Sequence, residues 1–166
     1  PVIFFHAGFS LFKGGFSGVD IFFVISGYLI TSIILKESIQ DKFSVLNFYE
    51  RRARRILPAL FLVMLFCLPL SFILLWPNDL ENFGQSLVAT TLFSNNILLF
   101  FTSTDYWSLS AEFKPLLHTW SLGVEEQYYL VFPLLMILIW PLKLNNIYPI
   151  LLFLTILSFC LSVYLS

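Results

Sequence analysis

Long apolar stretches without charges restrict the fold of this 166-residue chain more than any other feature. A helix that crosses the hydrocarbon of a bilayer needs about 20 consecutive, mainly apolar residues. Residues 56–76, 83–104 and 144–166 contain no Asp, Glu, Lys or Arg, and residues 16–35 contain only Asp20. Each of these four stretches is therefore predicted to be a membrane span.

A fifth apolar run covers residues 127–142 and follows directly on Glu125 and Glu126. It is shorter, and it reaches spanning length only if both acids lie within the helix or at its mouth. Charged residues make up 11% of the whole chain, against about 25% in soluble domains. A chain with so few charges cannot cover a water-facing surface. Lipid must therefore replace water around the helices.

We therefore predict an all-α, polytopic transmembrane helical bundle of about five full spans. Residues 1–5 look like the end of a further, truncated helix, and the sequence does not begin with Met. We expect residues 1–166 to be part of one transmembrane domain with no soluble domain. The chain is thus expected to be a fragment of a longer protein, and it could be inactive alone.

The distribution of basic residues predicts the orientation. Six of the nine Lys and Arg residues lie from Lys36 to Arg55, in the connection between the first two full predicted spans. Cytoplasmic loops carry such an excess of basic residues, so this connection is predicted to face the cytoplasm.

The net charge of −1 predicts no nucleic-acid partner. Cys67 and Cys160 lie within apolar stretches and are read as small buried hydrophobes. No spacing of ligand residues predicts a metal site.

A histidine near membrane depth is the first candidate for chemistry. His6 follows the apolar run at the start of the chain. Histidine titrates near neutral pH, so His6 could act as a general base. The alternative is a structural histidine that is hydrogen-bonded at the end of a helix.

A basic cluster precedes the span 56–76. It contains four arginines, namely Arg51, Arg52, Arg54 and Arg55. One reading is a topology signal that also binds anionic lipids. The other uses the planar guanidinium fork, which suits the phosphate oxygens of a molecule such as coenzyme A. The residues alone leave both readings open.

Polar residues also lead directly into the run 127–142. This stretch contains His118, Trp120, Ser121, Glu125 and Glu126. Ser121 could cap the helix, and acids in a first helical turn suit the positive end of the helix dipole. A cap does not explain all of these residues, and intramembrane acids can also form a proton relay.

Two further polar features lie at or within predicted spans. Asp20 follows the glycine-rich stretch 14–18, and it could cap a helix or bind His6 or an arginine. Asn95 and Asn96 lie inside the stretch 83–104, where we predict hydrogen bonds between helices.

Together, these motifs resemble acyltransferase family 3, the group of bacterial membrane enzymes that O-acetylate surface sugars such as the O-antigen. The resemblance covers nearly the whole chain, and both the order and the spacing of the motifs match. The four matching stretches are Phe5-His6 and residues 15–30, 48–58 and 115–130.

The resemblance implies a multi-pass enzyme of the bacterial inner membrane. Such an enzyme transfers acetyl from cytoplasmic acetyl-CoA to a hydroxyl of a cell-surface glycan, such as lipopolysaccharide O-antigen. Its expected partners are acyl-CoA, a glycan or lipid-linked sugar acceptor and the lipid bilayer. Acetyl-CoA would be a substrate, and no permanently bound cofactor is expected.

The resemblance also implies roles for individual residues. His6 would be the catalytic base, and Glu125 and Glu126 would be catalytic or handle protons. The donor phosphates would be bound by Arg51, Arg52, Arg54 and Arg55. The residues expected to shape the site are Asp20, His118, Trp120 and Ser121. Two alternatives to an acyltransferase are a proton-coupled membrane transporter and an inactive fragment or scaffold.

Overall fold

A computed structural model describes residues 2–6, 11, 14–102, 114–142 and 144–165. Within these ranges, the side chains of residues 3, 6, 142, 144–146 and 165 lie outside the description. All regular structure in the described ranges is helical. The α-helices are α1 (Val2–His6), α2 (Gly18–Ile39), α3 (Val45–Leu74), α4 (Pro77–Thr91), α5 (Asn95–Thr102), α6 (Thr119–Ile139) and α7 (Leu144–Leu165). One-turn 3₁₀ helices cover Gly15–Ser17 and Trp140–Leu142.

Four helical segments among the described residues are long and apolar enough to cross a membrane. They cover Gly15–Ile39, Val45–Leu74, Thr119–Ile139 and Ile147–Tyr164. The predicted all-α, polytopic architecture is confirmed. Glu125 and Glu126 lie within the third of these segments, so the acids do belong to the helix, as its spanning length requires.

Helix α3 carries the four arginines inside a helix rather than in a loop. It begins after Ser44, whose hydroxyl accepts a hydrogen bond from the backbone N–H of Asn47 at 3.4 Å. At 30 residues, α3 is roughly 45 Å long, which exceeds the ~30 Å hydrocarbon thickness. The arginines lie in its first three turns. The excess length lets these turns reach the polar edge of a bilayer.

The predicted span 83–104 is not one continuous helix. Helix α4 ends at Thr91 and α5 begins at Asn95. Between them Phe93 adopts a positive φ of 52°. The backbone N–H of Ser94 donates to the carbonyl of Ala89 at 2.7 Å, which satisfies one of the last carbonyls of α4. Two shorter helices therefore replace one of the five predicted spans.

The chain divides into two compact units, residues Pro1–Leu130 and Val131–Ser166. Every cavity and contact described below lies in the first unit. Its core includes Ile30 and Ile34 of α2 and Phe48 of α3, all of which are almost completely buried.

Amide side chains join α5 to α6 and to the turn that precedes α6. Asn95 is fully buried and donates to the carbonyl of Leu116 at 2.9 Å and to the hydroxyl of Thr119 at 2.7 Å. Asn96 and Gln127 exchange two hydrogen bonds, of 3.1 Å and 2.9 Å. These contacts confirm the predicted hydrogen bonds of the asparagine pair between helices.

The close approach of α6 to this region depends on Gly123. A Cβ atom at this position would lie 2.9 Å from Oδ1 of Asn96 and 3.1 Å from the carbonyl oxygen of Phe93. Real Cβ atoms almost never come so near, so a larger residue would push α6 away. The glycine thus lets the Asn96–Gln127 pair form.

Candidate functional site

A cavity of about 600 Å³ lies between α2, α3 and the first half of α6. Cavities that bind small molecules are typically about 300–1,000 Å³ and mostly apolar, with a few placed polar groups. This cavity fits that description, because aliphatic and aromatic side chains form most of its wall. Its polar side chains are Ser26, Arg52, Arg55, His118, Thr119, Glu125 and Tyr129.

Three polar groups from α2 and α6 meet at the cavity wall. The hydroxyl of Ser26 donates to Oε1 of Glu125 at 2.7 Å. The phenol of Tyr129 donates to the same oxygen, and the hydroxyl oxygens of Ser26 and Tyr129 are in contact with each other. Glu125 and Tyr129 are four residues apart, so one helical face presents both to Ser26. This Ser26–Glu125–Tyr129 cluster places two hydroxyls on one carboxylate.

Arg52 extends from α3 towards the same cluster. Its guanidinium carbon lies 4.8 Å from the centre of the Tyr129 ring and 5.6 Å from that of Phe48. A cation over an aromatic face is attracted by the ring's negative charge density. The two rings therefore orient the guanidinium without neutralising its positive charge.

The four arginines separate into two groups. Arg51 forms two hydrogen bonds with Glu37, at 2.9 Å and 3.1 Å. Arg54 forms a salt bridge with Glu50 at 2.6 Å. Arg52 and Arg55, by contrast, line the 600 Å³ cavity and form no salt bridge with any other described residue. The structure thus places only this second pair at the cavity.

A second, smaller cavity of about 250 Å³ lies on the other side of Arg52. Arg52 and Tyr129 line both cavities, whereas Glu125 lines the larger one and Glu126 the smaller one. Successive residues of an α-helix point about 100° apart, which directs the two acids into different spaces. Oε1 of Glu126 is buried without a hydrogen-bond partner among the described residues.

Two predictions about helix starts are wrong. Helix α6 begins at Thr119, so Ser121 lies inside its first turn and donates to the carbonyl of His118 at 3.2 Å. Glu125 and Glu126 consequently lie in the second turn rather than the first. In α2 the N-cap position is occupied by Ser17, and Asp20 is an exposed residue of the first turn.

The remaining predicted residues have different positions. His118 lines the larger cavity. The ring of Trp120 packs against buried Leu99 and Leu117, and its edge meets Phe23 at 6.2 Å between ring centres. His6 is the last residue of α1, and its side chain lies outside the described part of the structure.

Sequence reasoning placed Ser26 and Tyr129 inside the matching stretches 15–30 and 115–130 but gave neither residue a role. A serine in an apolar helix gives no signal by itself, because its hydroxyl can bond to a nearby backbone carbonyl. One signal was available for Tyr129, since it lies four residues after Glu125 on the same helical face. No sequence signal connects Ser26 of α2 to its partners on α6, because 99 residues separate Ser26 from Glu125.

The described helices define a multi-pass helical membrane protein with a charged cavity between three of them. The family profile described as "Acyltransferase domain" matches residues 2–165. The chain therefore belongs to this family, acyltransferase family 3, as its sequence motifs predict. No solved structure matches the chain.

Three relatives illustrate the family. A Haemophilus influenzae protein described as uncharacterized is 45% identical over 120 residues, which cover 72% of this chain and 49% of the relative. The O-acetyltransferase OatA of Staphylococcus aureus is 39% identical over 135 residues, 80% of this chain and 22% of the relative. The peptidoglycan O-acetyltransferase OatA of Listeria monocytogenes is 40% identical over 146 residues, which cover 84% of this chain and 23% of the relative. The chain spans about half the length of the first relative and less than a quarter of the other two.

Proposed function

We propose that this chain forms part of a bacterial inner-membrane enzyme that transfers acetyl from cytoplasmic acetyl-CoA to a hydroxyl of a cell-surface glycan. The observation that carries the proposal is the pairing of Arg52 and Arg55 at one wall of the 600 Å³ cavity with Glu125 at another. Arginine suits a polyphosphate, and a carboxylate suits a hydroxyl that must lose its proton. Both groups lie within reach of one bound molecule.

The donor would be held by its phosphates at Arg52 and Arg55. Arg51 and Arg54 are already paired with Glu37 and Glu50, so their charge is partly neutralised. An acyl thioester bound in this way would extend its reactive end into the apolar cavity.

Proton transfer is the second requirement, because a sugar hydroxyl is a poor nucleophile. General-base assistance is typically worth about 10²–10⁴-fold in rate. Glu125 is one candidate base, and it already accepts hydrogen bonds from two hydroxyls. His6 remains the other candidate on the strength of the family motif alone.

The acceptor is proposed to be a hydroxyl of an envelope glycan or a lipid-linked sugar. The sequence motifs suggest lipopolysaccharide O-antigen, whereas a relative carries the name peptidoglycan O-acetyltransferase. Both glycans present sugar hydroxyls outside the cytoplasmic membrane, so the same chemistry would serve either. Peptidoglycan is the first acceptor to test, since a named relative supports it.

The test measures acetyl transfer from labelled acetyl-CoA into purified envelope glycans. Membranes would carry the complete gene product as wild type, R52A/R55A, R51A/R54A or K36A/K42A. The last variant is the control, because it also removes two positive charges, but from exposed lysines that do not line the cavity. We expect labelling to be lost in R52A/R55A and largely retained in K36A/K42A, with R51A/R54A between them.

The identity of the labelled glycan distinguishes peptidoglycan from O-antigen. If R52A/R55A incorporated as much label as R51A/R54A and K36A/K42A, the cavity would be rejected as the donor site. Absence of labelling in stably inserted wild-type protein would reject the acyltransferase itself and make a membrane transporter the leading idea.

A further inference from the structure

The hydroxyl of Ser26 is the best-placed nucleophile of the cavity. Ser26 is buried, with 9% relative exposure, and it lies on the cavity wall. Its Oγ donates to Glu125 at 2.7 Å, within the ~2.6–3.2 Å reach of a nucleophile and its base. Tyr129 donates to the same carboxylate oxygen and so fixes its orientation. Nucleophile, base and orienting group are therefore all in contact.

The depth of Ser26 within its membrane span suits a residue that carries the acyl group. Ser26 lies near the middle of the span Gly15–Ile39. At about 1.5 Å per residue, its Cα is roughly 17 Å from one end of this helix and about 20 Å from the other. A cytoplasmic donor and an external glycan would each have to reach halfway to meet directly. A side chain at this depth can hold the acyl group between two separate encounters.

We propose that Ser26 carries the acyl group as a covalent ester between donor and acceptor, with Glu125 as the base of both half-reactions. The inference rests on the proposed acyltransferase function, and it adds an intermediate to that function. It also explains why a serine hydroxyl, a carboxylate and a phenol from two helices meet at a cavity that arginines line.

The first half-reaction exchanges one acyl bond for another. A bond forms between Ser26 Oγ and the acyl carbon, while the bond between that carbon and the thioester sulfur breaks. Glu125 accepts the hydroxyl proton of Ser26 and returns it to the leaving thiolate, which departs as the free thiol of coenzyme A.

The second half-reaction reverses these roles. The acceptor hydroxyl oxygen forms a bond to the acyl carbon, and the ester bond to Ser26 Oγ breaks. The acceptor's proton passes to Glu125 and from there to Ser26, which regains its hydroxyl. The sum is one thioester and one alcohol converted to one thiol and one ester, with no change of oxidation state.

The test traps the intermediate in proteoliposomes that contain the complete gene product and labelled acetyl-CoA but no glycan. Peptide mass spectrometry then locates any acetyl group on the protein. The variants are S26A, S26C and S32A, where exposed Ser32 on the same helix is the matched control. We expect acetylated Ser26 in wild type and S32A, and a loss of label of roughly tenfold or more in S26A.

S26C keeps the trapping experiment decisive if S26A does not fold. Its label is expected as a thioester, which neutral hydroxylamine cleaves, whereas the serine ester requires alkaline hydroxylamine. Acetyl found on Tyr129 or His6 instead of Ser26 would overturn the proposal. So would near-normal glycan acetylation by S26A, which would exclude a Ser26 ester and leave the acyltransferase function intact. Wild type that neither releases coenzyme A nor acetylates glycan would reject the function and the intermediate together.

Discussion

The guanidinium of Arg52 lies 4.8 Å from the centre of the Tyr129 ring, and both side chains line the larger and the smaller cavity. An aromatic ring orients a cation but does not cancel its charge, unlike the carboxylates that pair with Arg51 and Arg54. Arg52 is therefore held in place, and no described carboxylate forms a salt bridge with it.

This contact predicts how Arg52 variants behave. Replacing Arg52 with Ala should raise KM for acetyl-CoA roughly tenfold or more, because a phosphate contact to arginine is charge-assisted. Arg52→Lys should have an intermediate KM, since lysine keeps the charge but loses the planar fork. Steady-state kinetics on the two variants measures both effects. A fall in kcat at unchanged KM would instead assign Arg52 to the chemical step.

The close approach at Gly123 predicts a stability difference between two glycine substitutions. Gly123→Ala brings a Cβ to 2.9 Å from Asn96 and 3.1 Å from a backbone oxygen, and such overpacking typically costs about 1–3 kcal/mol. Gly84→Ala, in α4, meets nothing within 4 Å and should be neutral or stabilising by about 0.5–1 kcal/mol. Unfolding in mixed detergent micelles measures both. Equal stability of the two variants would contradict the observed packing of α5 against α6.

The reciprocal pair of Asn96 and Gln127 predicts non-additive effects. Asn96→Ala and Gln127→Ala should each destabilise the protein, and the double variant should cost less than their sum. Hydrogen bonds between membrane helices couple by roughly 0.6 kcal/mol on average and at most about 1.7 kcal/mol. A double-mutant cycle on unfolding free energies measures this coupling. Gln127 also donates to the carbonyl of Phe93 at 2.9 Å, so Gln127→Ala should be the more damaging single variant.

The helices and the asparagine contacts could be predicted from the sequence because their causes are local. Apolar length predicts a span, and an amide within a span needs a partner nearby. The break at Phe93 could not be predicted in this way. A positive φ usually marks Gly or Asn, whereas here a bulky aromatic residue adopts it.

The division of the arginine cluster could not be predicted from the sequence either. Arg51 and Arg55 are equivalent in a helical pattern, yet only Arg51 meets Glu37 of the neighbouring helix. That difference depends on how α2 and α3 pack, which no periodicity within α3 reveals. For the same reason the sequence assigns no role to Ser26, whose partners Glu125 and Tyr129 lie on α6.

The separation of the two acids predicts unequal effects of replacing them. Glu125→Gln keeps a side chain of the same shape and an oxygen that still accepts hydrogen bonds from Ser26 and Tyr129, but it cannot take a proton. We expect acetyl transfer to fall by about 10²–10⁴-fold with the protein still folded. Glu126→Gln should retain more activity, because Glu126 lines the smaller cavity, away from Ser26.

Transfer rates at saturating acetyl-CoA, together with thermal stability in detergent, separate loss of chemistry from loss of folding. If Glu125→Gln and Glu126→Gln lost activity equally while both variants stayed folded, proton transfer would involve both cavities. Glu125 would then not be the sole base of the reaction.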